Sequence, residues 1–425
     1  MEWKKKLTLL LLVTLVAIKA LPRDAQAANN EGRPARLEDL VGEALARNPE
    51  IQAARRNAEA KRARIPQSKA WPDPTVTIGY GGNLLPPFTL MRDDPSSARQ
   101  FMIEQMIPYP GKTRLRGEIA AREAEAEAMS IEEASRRVAS EVKQAYFDLY
   151  STDQALATLA KDRQILERLV KVAEIRYSVG KAAQQDAIRA QVELTRLTER
   201  QTMLEQARRT LEARLNSLRD LPVDSPIGPT GAVTPSVLTQ TPEELQAAAE
   251  SFPALARQRV MIEGNQLAVN LARKEVRPDF SVGIIYMQRA VMPDMHGITF
   301  STSLPVFRRS KQDQAIREAA LNLEAARRME ANQLTLLRYR VRQEVVEVEA
   351  ADRLMKLYQQ ALVPQSRLAL ESSLASYETG AIDFQAVLGN FTTILEYELN
   401  YHQQLANHEK ALARLEELTG LALIR

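Results

Sequence analysis

Cysteine is absent from this 425-residue chain. That excludes thiol catalysis, disulfides, thiolate metal sites and an acylated N-terminal cysteine. Aromatic residues make up only 5%. So few large rings argue against one big globular core and for long helices packed through small side chains. Neither sign of charge dominates: 57 basic residues face 54 acidic ones, for a net charge of +3. A nucleic-acid partner would call for a clustered basic surface, so none is expected. Beyond the N-terminal residues no apolar run is long enough for a transmembrane helix. That absence leaves a β-barrel open, because barrel strands are short and alternating.

Chemistry-bearing motifs are missing too. The chain has no Gly-rich phosphate loop, nucleophile elbow or paired-carboxylate motif. The three histidines are scattered, and His402 and His408 fall on different sides of a helix. Met292, Met295 and His296 cluster where the second hairpin loop is expected, and such soft ligands suit copper(I) or silver(I). A loop methionine cluster is more often incidental, and no metal site is assigned. The expectation is a protein that is not an enzyme, holds no cofactor, and draws any energy from a partner.

What is present begins with a secretory signal at residues 1–27. Lys4, Lys5 and Lys6 precede an apolar run from Leu7 to Ile18, and Ala25-Gln26-Ala27 supplies a small-residue cleavage site. The run is shorter than the roughly 20 residues that span a bilayer. The mature chain is then written twice. Four landmarks recur in order at a separation of about 200 residues. Asn48-Pro49-Glu50 matches Phe252-Pro253-Ala254, and Pro72-Asp73-Pro74 with the run to Tyr80 matches Pro278-Asp279 with the run to Tyr286. Ile107-Pro108 matches Leu304-Pro305, and Tyr177-Ser178-Val179-Gly180 matches Tyr377-Glu378-Thr379-Gly380. The expected organisation is a first repeat at 28–218, a Pro-rich linker at 219–241 and a second repeat at 242–425. The second opens with Thr241-Pro242-Glu243-Glu244, a Thr cap, a first-turn Pro and a Glu three after the cap.

Each half reads helix, two strands, long helix, tight turn, helix. Residues 50–70 and 254–276 are Ala- and Arg-rich, hence helical. Period two follows: Val76, Ile78 and Tyr80 oppose Thr75, Thr77 and Gly79, and Val282, Ile284 and Tyr286 oppose Ser281, Gly283 and Ile285. The returning strands are expected at Phe101–Ile107 and Ile298–Leu304, with Phe300 on the apolar face of the latter. About 70 helical residues then run to each Tyr-x-x-Gly landmark. Val138, Val142, Ala145, Leu149, Leu156, Leu159, Leu166, Val170 and Ala173 form a narrow coiled-coil seam. At about 1.5 Å per residue that rod reaches on the order of 100 Å. Pro364 should kink the second rod without ending it. Gly180 and Gly380 allow a reversal, and helices of about 35 residues return to Leu218 and Leu418.

Four membrane-type strands cannot satisfy their backbones in lipid as an open sheet, so several chains must close a barrel together. A trimer would supply twelve strands, within the usual even-numbered range. The fold class expected is mainly α with membrane β. Duplicated long helical hairpins would form an α-barrel, and four strands per chain would enter a trimeric 12-stranded β-barrel.

Across essentially the whole mature chain the two halves resemble the repeats of the TolC-like outer-membrane efflux family. The carriers are Ala44 to Glu50, Ile107-Pro108-Tyr109-Pro110-Gly111-Lys112, Tyr177 to Gly180, and Tyr377 to Gly380 continuing through Asp383 to Leu388. The Pro-Tyr-Pro-Gly-Lys segment and the Gly-x-x-Asp-Phe stretch look most like the heavy-metal and small-solute efflux branch. The resemblance implies a homotrimer in outer-membrane lipid, spanning into the periplasm as a passive conduit for small solutes, drugs or metal ions. It implies two partners, a periplasmic adaptor (membrane fusion) protein and an inner-membrane pump, RND-type in preference to ABC. An outer-membrane channel of type I protein secretion and a periplasmic coiled-coil scaffold are the alternatives. The family closes its lower end with helix tips, here Tyr177, Val179, Gly180 and Asp186, with Tyr377, Thr379, Gly380 and Asp383. Some relatives carry an acidic pair six and nine residues after the second tip glycine. This chain has Ala386 and Gly389 there, leaving Asp383 and Asp186 either to replace that ring in part or to serve as helix starts.

Overall fold

The computed structural model describes residues 34–82, 88–94 and 96–424. The expected signal at 1–27 lies outside the described residues. Two short helices, α1 (Leu37–Arg47) and α2 (Pro49–Lys69), lead into strands β1 (Thr75–Gly81) and β2 (Ala98–Ile107). The rod α3 (Lys112–Ser178) and its return α4 (Gln184–Leu218) follow. The second half repeats this as α5 (Pro242–Ala249), α6 (Pro253–Glu275), β3 (Phe280–Arg289), β4 (Met295–Thr302), α7 (Gln312–Leu357), α8 (Val363–Thr379) and α9 (Phe384–Thr419).

Among the described residues no helix is long and apolar enough to cross a membrane. The four strands form one antiparallel sheet in the order β1-β2-β3-β4, so the two hairpins join through β2 and β3. Directly paired residues share a face of an antiparallel sheet. The register therefore lines up Val76, Ile103, Ile284 and Ile298 across all four strands, with Ile78, Phe101, Tyr286 and His296 in the next row. This face is apolar yet exposed, with Ile284 at 60% and Ile298 at 82%. The opposite face carries the row Thr75, Glu104, Gly283 and Thr299, and the Ser301 hydroxyl donates to Glu104 at 3.3 Å.

Strand boundaries differ from the sequence expectation: β1 and β3 run on to Gly81 and Arg289, and β2 and β4 shift as well. β2 starts three residues earlier, at Ala98, because Ala98 pairs with both Gly81 and Arg289. β4 runs from Met295 to Thr302 instead of Ile298 to Leu304. It stops where Thr302 meets Phe280, the first residue of β3, and the preceding Asp279 is already engaged by Tyr109 N–H at 2.7 Å. Met295 and His296 consequently sit in a strand, not in the loop. As neighbours in a strand they point to opposite faces. Met295 pairs with Met287 and His296 stacks on Tyr286 (5.2 Å between centroids), so the two cannot converge on one ion.

The joint between sheet and helices explains the Pro-Tyr-Pro-Gly-Lys motif. The Lys112 ammonium is 2% exposed and bonds Asp279 (2.9 Å), Glu275 (3.1 Å) and the Arg277 carbonyl (2.8 Å). A buried cation needs this full set of acceptors, and all of them come from the other repeat.

The rod α3 has 67 residues, about 100 Å at the helical rise. Its seam buries Val138, Val142, Ala145, Leu149, Leu159, Leu166 and Ala173, whereas Leu156 and Val170 are half-buried. Hydrophobic clusters are strung along the bundle. One joins α1, α2, α3 and α4 around Phe147 and Leu149, a second joins α5, α7 and α9 around Leu412, and a third lies at the tips. In the second rod the helix passes through a π-helical turn, Tyr358–Leu362, before Pro364 in the first turn of α8. Proline cannot donate to the carbonyl four residues back, and Val363 N–H bonds the Tyr358 carbonyl instead. The rod continues through this widened turn.

The segment from Arg219 to Thr241 is strapped down at named points. Asp153 accepts from Thr230 N–H (2.9 Å) and hydroxyl (3.0 Å), and Glu409 accepts from Ser236 N–H (2.8 Å) and hydroxyl (2.9 Å). Thr241 and Glu244 then form a reciprocal capping box at α5. At the α1–α2 junction Asn48, 5% exposed, accepts from Glu50 N–H (2.9 Å) and donates to the Leu218 carbonyl at the end of α4 (2.9 Å). Asn48→Ala removes a cap and takes away the half-buried Leu218 carbonyl's side-chain partner. The expected loss is about 1–2 kcal/mol, measured by denaturant unfolding; an unchanged midpoint would show that water replaces both bonds.

Candidate functional site

The sequence-selected tip residues lie at the two sharp reversals, α3 to α4 and α8 to α9. Backbone φ is positive at both glycines, 71 degrees at Gly180 and 85 degrees at Gly380. That is the left-handed region, which side chains resist. In each turn the glycine N–H bonds a tyrosine carbonyl, Tyr177 at 2.9 Å and Tyr377 at 3.0 Å, which completes the helix end.

The two copies part company in their surroundings. Tyr177 and Val179 are exposed, and together with Ile175, Ile188 and Val192 they leave an apolar patch on the first tip. Tyr377 is 2% exposed and packs edge-on against Phe384, 5.7 Å between centroids. The Arg176 guanidinium lies over the Tyr377 ring at 4.6 Å and donates to the Tyr377 carbonyl and to the Lys181 carbonyl (3.3 Å). A cation on an aromatic face is attracted to the ring quadrupole. Burial, with the Asp186 carboxylate adding, pushes the Tyr377 phenol up; Arg176 opposes, and the ring stays neutral at physiological pH.

Arg189 donates to Gln385 at 2.8 Å, a second link between the hairpins, and Lys161 and Arg367 converge on Glu398 further up. The site expectations from sequence did not include Arg176 or Arg189. A signal existed: the position before the landmark tyrosine is Arg176 in one repeat and Ser376 in the other. The Asp383 carboxylate accepts from Ala386 N–H at 2.9 Å, so it serves as the α9 cap. Asp186 lies half-buried in the first turn of α4, and Thr379 is exposed with its hydroxyl bonded to the Ser376 carbonyl at 3.0 Å. The strand residues Val76, Ile78, Tyr80, Val282, Ile284, Tyr286 and Phe300 lie in the sheet at the far end of the rods, all on its apolar face. Among the described residues no group of three or more His, Asp or Glu side chains could hold a metal ion.

Residues 40–219 match the family model described as outer membrane efflux protein. That match lies in the first repeat and its return helix. No curated protein matches it in sequence. Its fold is that of solved outer-membrane channels. A structure of CusC has 13% identity and a TM-score of 0.79, the alignment covering 95% of this chain and 96% of that one. The outer membrane protein VceC of Vibrio cholerae has 15% identity and a TM-score of 0.77, covering 91% and 96%. The CmeC outer membrane channel of Campylobacter jejuni has 16% identity and a TM-score of 0.74, covering 90% and 85%. At such identities the likeness is one of fold. At the tips the matching motifs of the two repeats sit in different surroundings.

That difference predicts unequal tolerance at the two tip glycines. Any side chain in the left-handed region costs about 1–2 kcal/mol. A Cβ on Gly180 meets nothing within 4 Å, whereas one on Gly380 lies 3.1 Å from Arg176 Nη2. Gly380→Leu should therefore raise amide hydrogen exchange across 374–388 more than Gly180→Leu does across 174–188. Equal increases would mean that Arg176 yields without loosening Tyr377.

Proposed function

We propose that this protein is the outer-membrane channel of a tripartite efflux system, a passive conduit that works as a homotrimer. The observation that carries the reading is the sheet. β1 and β4 end it with unpaired backbone edges among the described residues, and the row of Val76, Ile103, Ile284 and Ile298 is apolar and exposed across all four strands. Lipid tolerates no unpaired backbone, so such a sheet is complete only when copies join edge to edge. Three chains of four strands give a 12-stranded barrel, with Val76, Ile103, Ile284 and Ile298 toward lipid and the Thr75, Glu104 and Thr299 row toward water.

The rods support the same assembly. Beside the buried seam of α7, exposed Met329, Leu336, Tyr339, Val346, Leu354 and Leu357 recur at three-, seven- and eight-residue steps. An unpartnered stripe at coiled-coil spacing suits a neighbouring copy and a helical barrel below the membrane. The signal peptide at 1–27, the mature repeats at 28–218 and 242–425, and the joint at 219–241 belong to this reading. The exposed apolar patch of the first tip suits a periplasmic adaptor, which would couple the duct to an inner-membrane pump of RND type. Small solutes, drugs or metal ions pass because a wide water-filled duct needs no substrate pocket.

Ile284→Arg places a charge toward lipid, at a cost of about 2–4 kcal/mol near the midplane, and should deplete trimers from outer-membrane fractions. Ser281→Arg, on the water face, should leave them; Gly283 is unsuitable as a control because a Cβ there lies 2.6 Å from Thr299 Oγ1. Equal trimer yields from both variants would remove the barrel. The gate is tested apart from assembly. Arg176→Ala frees Tyr377 and should raise single-channel conductance in planar bilayers severalfold; unchanged conductance would move the constriction away from this contact.

A further inference from the structure

The tip-side half of the bundle contains a groove that the conduit reading does not use. It runs between α3, α8 and α9, with a cavity volume of about 470 Å³. Its α3 wall extends from Lys161 to Val172, about three helical turns. Ile165, Leu169, Leu370, Leu374 and Ile394 make the walls apolar. At its upper end the Asp162 side chain is 3% exposed, and its Oδ2 is buried with no hydrogen-bond partner among the described residues. At the lower end the Tyr377 hydroxyl is likewise buried and unpartnered. Leaving such groups unpaired costs free energy, and here an acceptor and a hydroxyl bracket one apolar cavity.

The charges around Asp162 decide what would suit it. Lys161, on the same helix, and Arg367, from α8, both pair with Glu398 of α9. The lining as a whole holds four carboxylates (Asp162, Glu371, Glu378, Glu398) against three bases (Lys161, Arg168, Arg367). Two of the three bases are thus committed to Glu398, and Asp162 is left without a direct partner. A volume in the range usual for small-molecule sites, apolar walls and one unpaired carboxylate define a ligand by its chemistry. We propose that this groove binds an elongated amphiphilic monocation, its ammonium head on Asp162 and its apolar body along the α3–α8 wall.

The pH dependence follows from the same group. Burial, with the Glu398 charge adding, pushes the Asp162 carboxyl up to about 6, while Lys161 and Arg367 oppose the shift. Below that pH the acid is protonated and neutral, so affinity for a cation falls as pH drops through about 6. Above it the carboxylate is charged and affinity is full.

The test uses the full mature chain in lipid nanodiscs and dansylcadaverine, a fluorescent dansyl group on an alkylammonium chain. Saturable binding is expected at pH 7.5 and should weaken about tenfold at pH 5. Asp162→Asn, with helix content unchanged by circular dichroism, should bind about tenfold more weakly at pH 7.5 and lose the pH dependence. The N-acetylated probe, which has no charge, should bind wild type no better than it binds Asp162→Asn. Ile165→Trp, which fills the groove, should abolish binding of both probes. Equal affinity of the charged and acetylated probes for wild type would overturn the proposal, as would undiminished binding by Asp162→Asn. Because no transport is measured, the result is independent of whether the chain conducts.

Discussion

A helix of 67 residues cannot be enclosed by any one partner, and burying its narrow apolar seam governs the rest of this molecule. Helices α1, α2, α4, α6 and α9 all pack on α3. Each covers part of its length, so the hydrophobic contacts separate into clusters in place of one core. Small side chains make this possible, since Ala120, Ala124, Ala134, Ala145 and Ala173 let neighbouring rods approach closely. The scarcity of aromatics and the abundance of alanine are two sides of that geometry.

Polar contacts then fix which part of each rod meets which neighbour. Lys112 ties the start of α3 to the end of α6 and to Asp279, and Lys410 reaches Asp148 at 2.6 Å in the middle of the bundle. The segment between the repeats carries Thr230 to Asp153 and Ser236 to Glu409, so it binds the bundle from outside. Such buried or half-buried pairs specify register more than they add stability. At the tips the two hairpins share a hydrophobic cluster that takes in Ala187, Tyr377, Phe384 and Val387, with Arg176–Tyr377 and Arg189–Gln385 as polar links between them.

The far end is built by a different rule. There the sheet turns a row of apolar residues outward and, among the described residues, leaves both edges unpaired, an arrangement that water penalises and that pairing with further strands completes. One chain therefore holds a helical bundle and an open four-stranded sheet, joined at the buried Lys112.

The amino-acid sequence by itself determined the repeated order of elements, the rods, their reversals at Gly180 and Gly380, and the apolar face of the strands. Each depends on local rules: period two against period 3.6, proline's missing N–H, glycine's freedom at positive φ. Strand ends were less legible, because β4 stops where its partner β3 begins and not where its own alternation fades. The placement of Met295 and His296 on opposite faces followed from that shift. Only the tertiary structure decided that Tyr377 is buried and Tyr177 exposed, although both stand in the same motif. The same holds for Asp162, whose sequence neighbourhood resembles any polar helix face until α8 and α9 close over it. Burial and pairing between distant parts of a chain are set by which faces meet, and no local pattern carries that information.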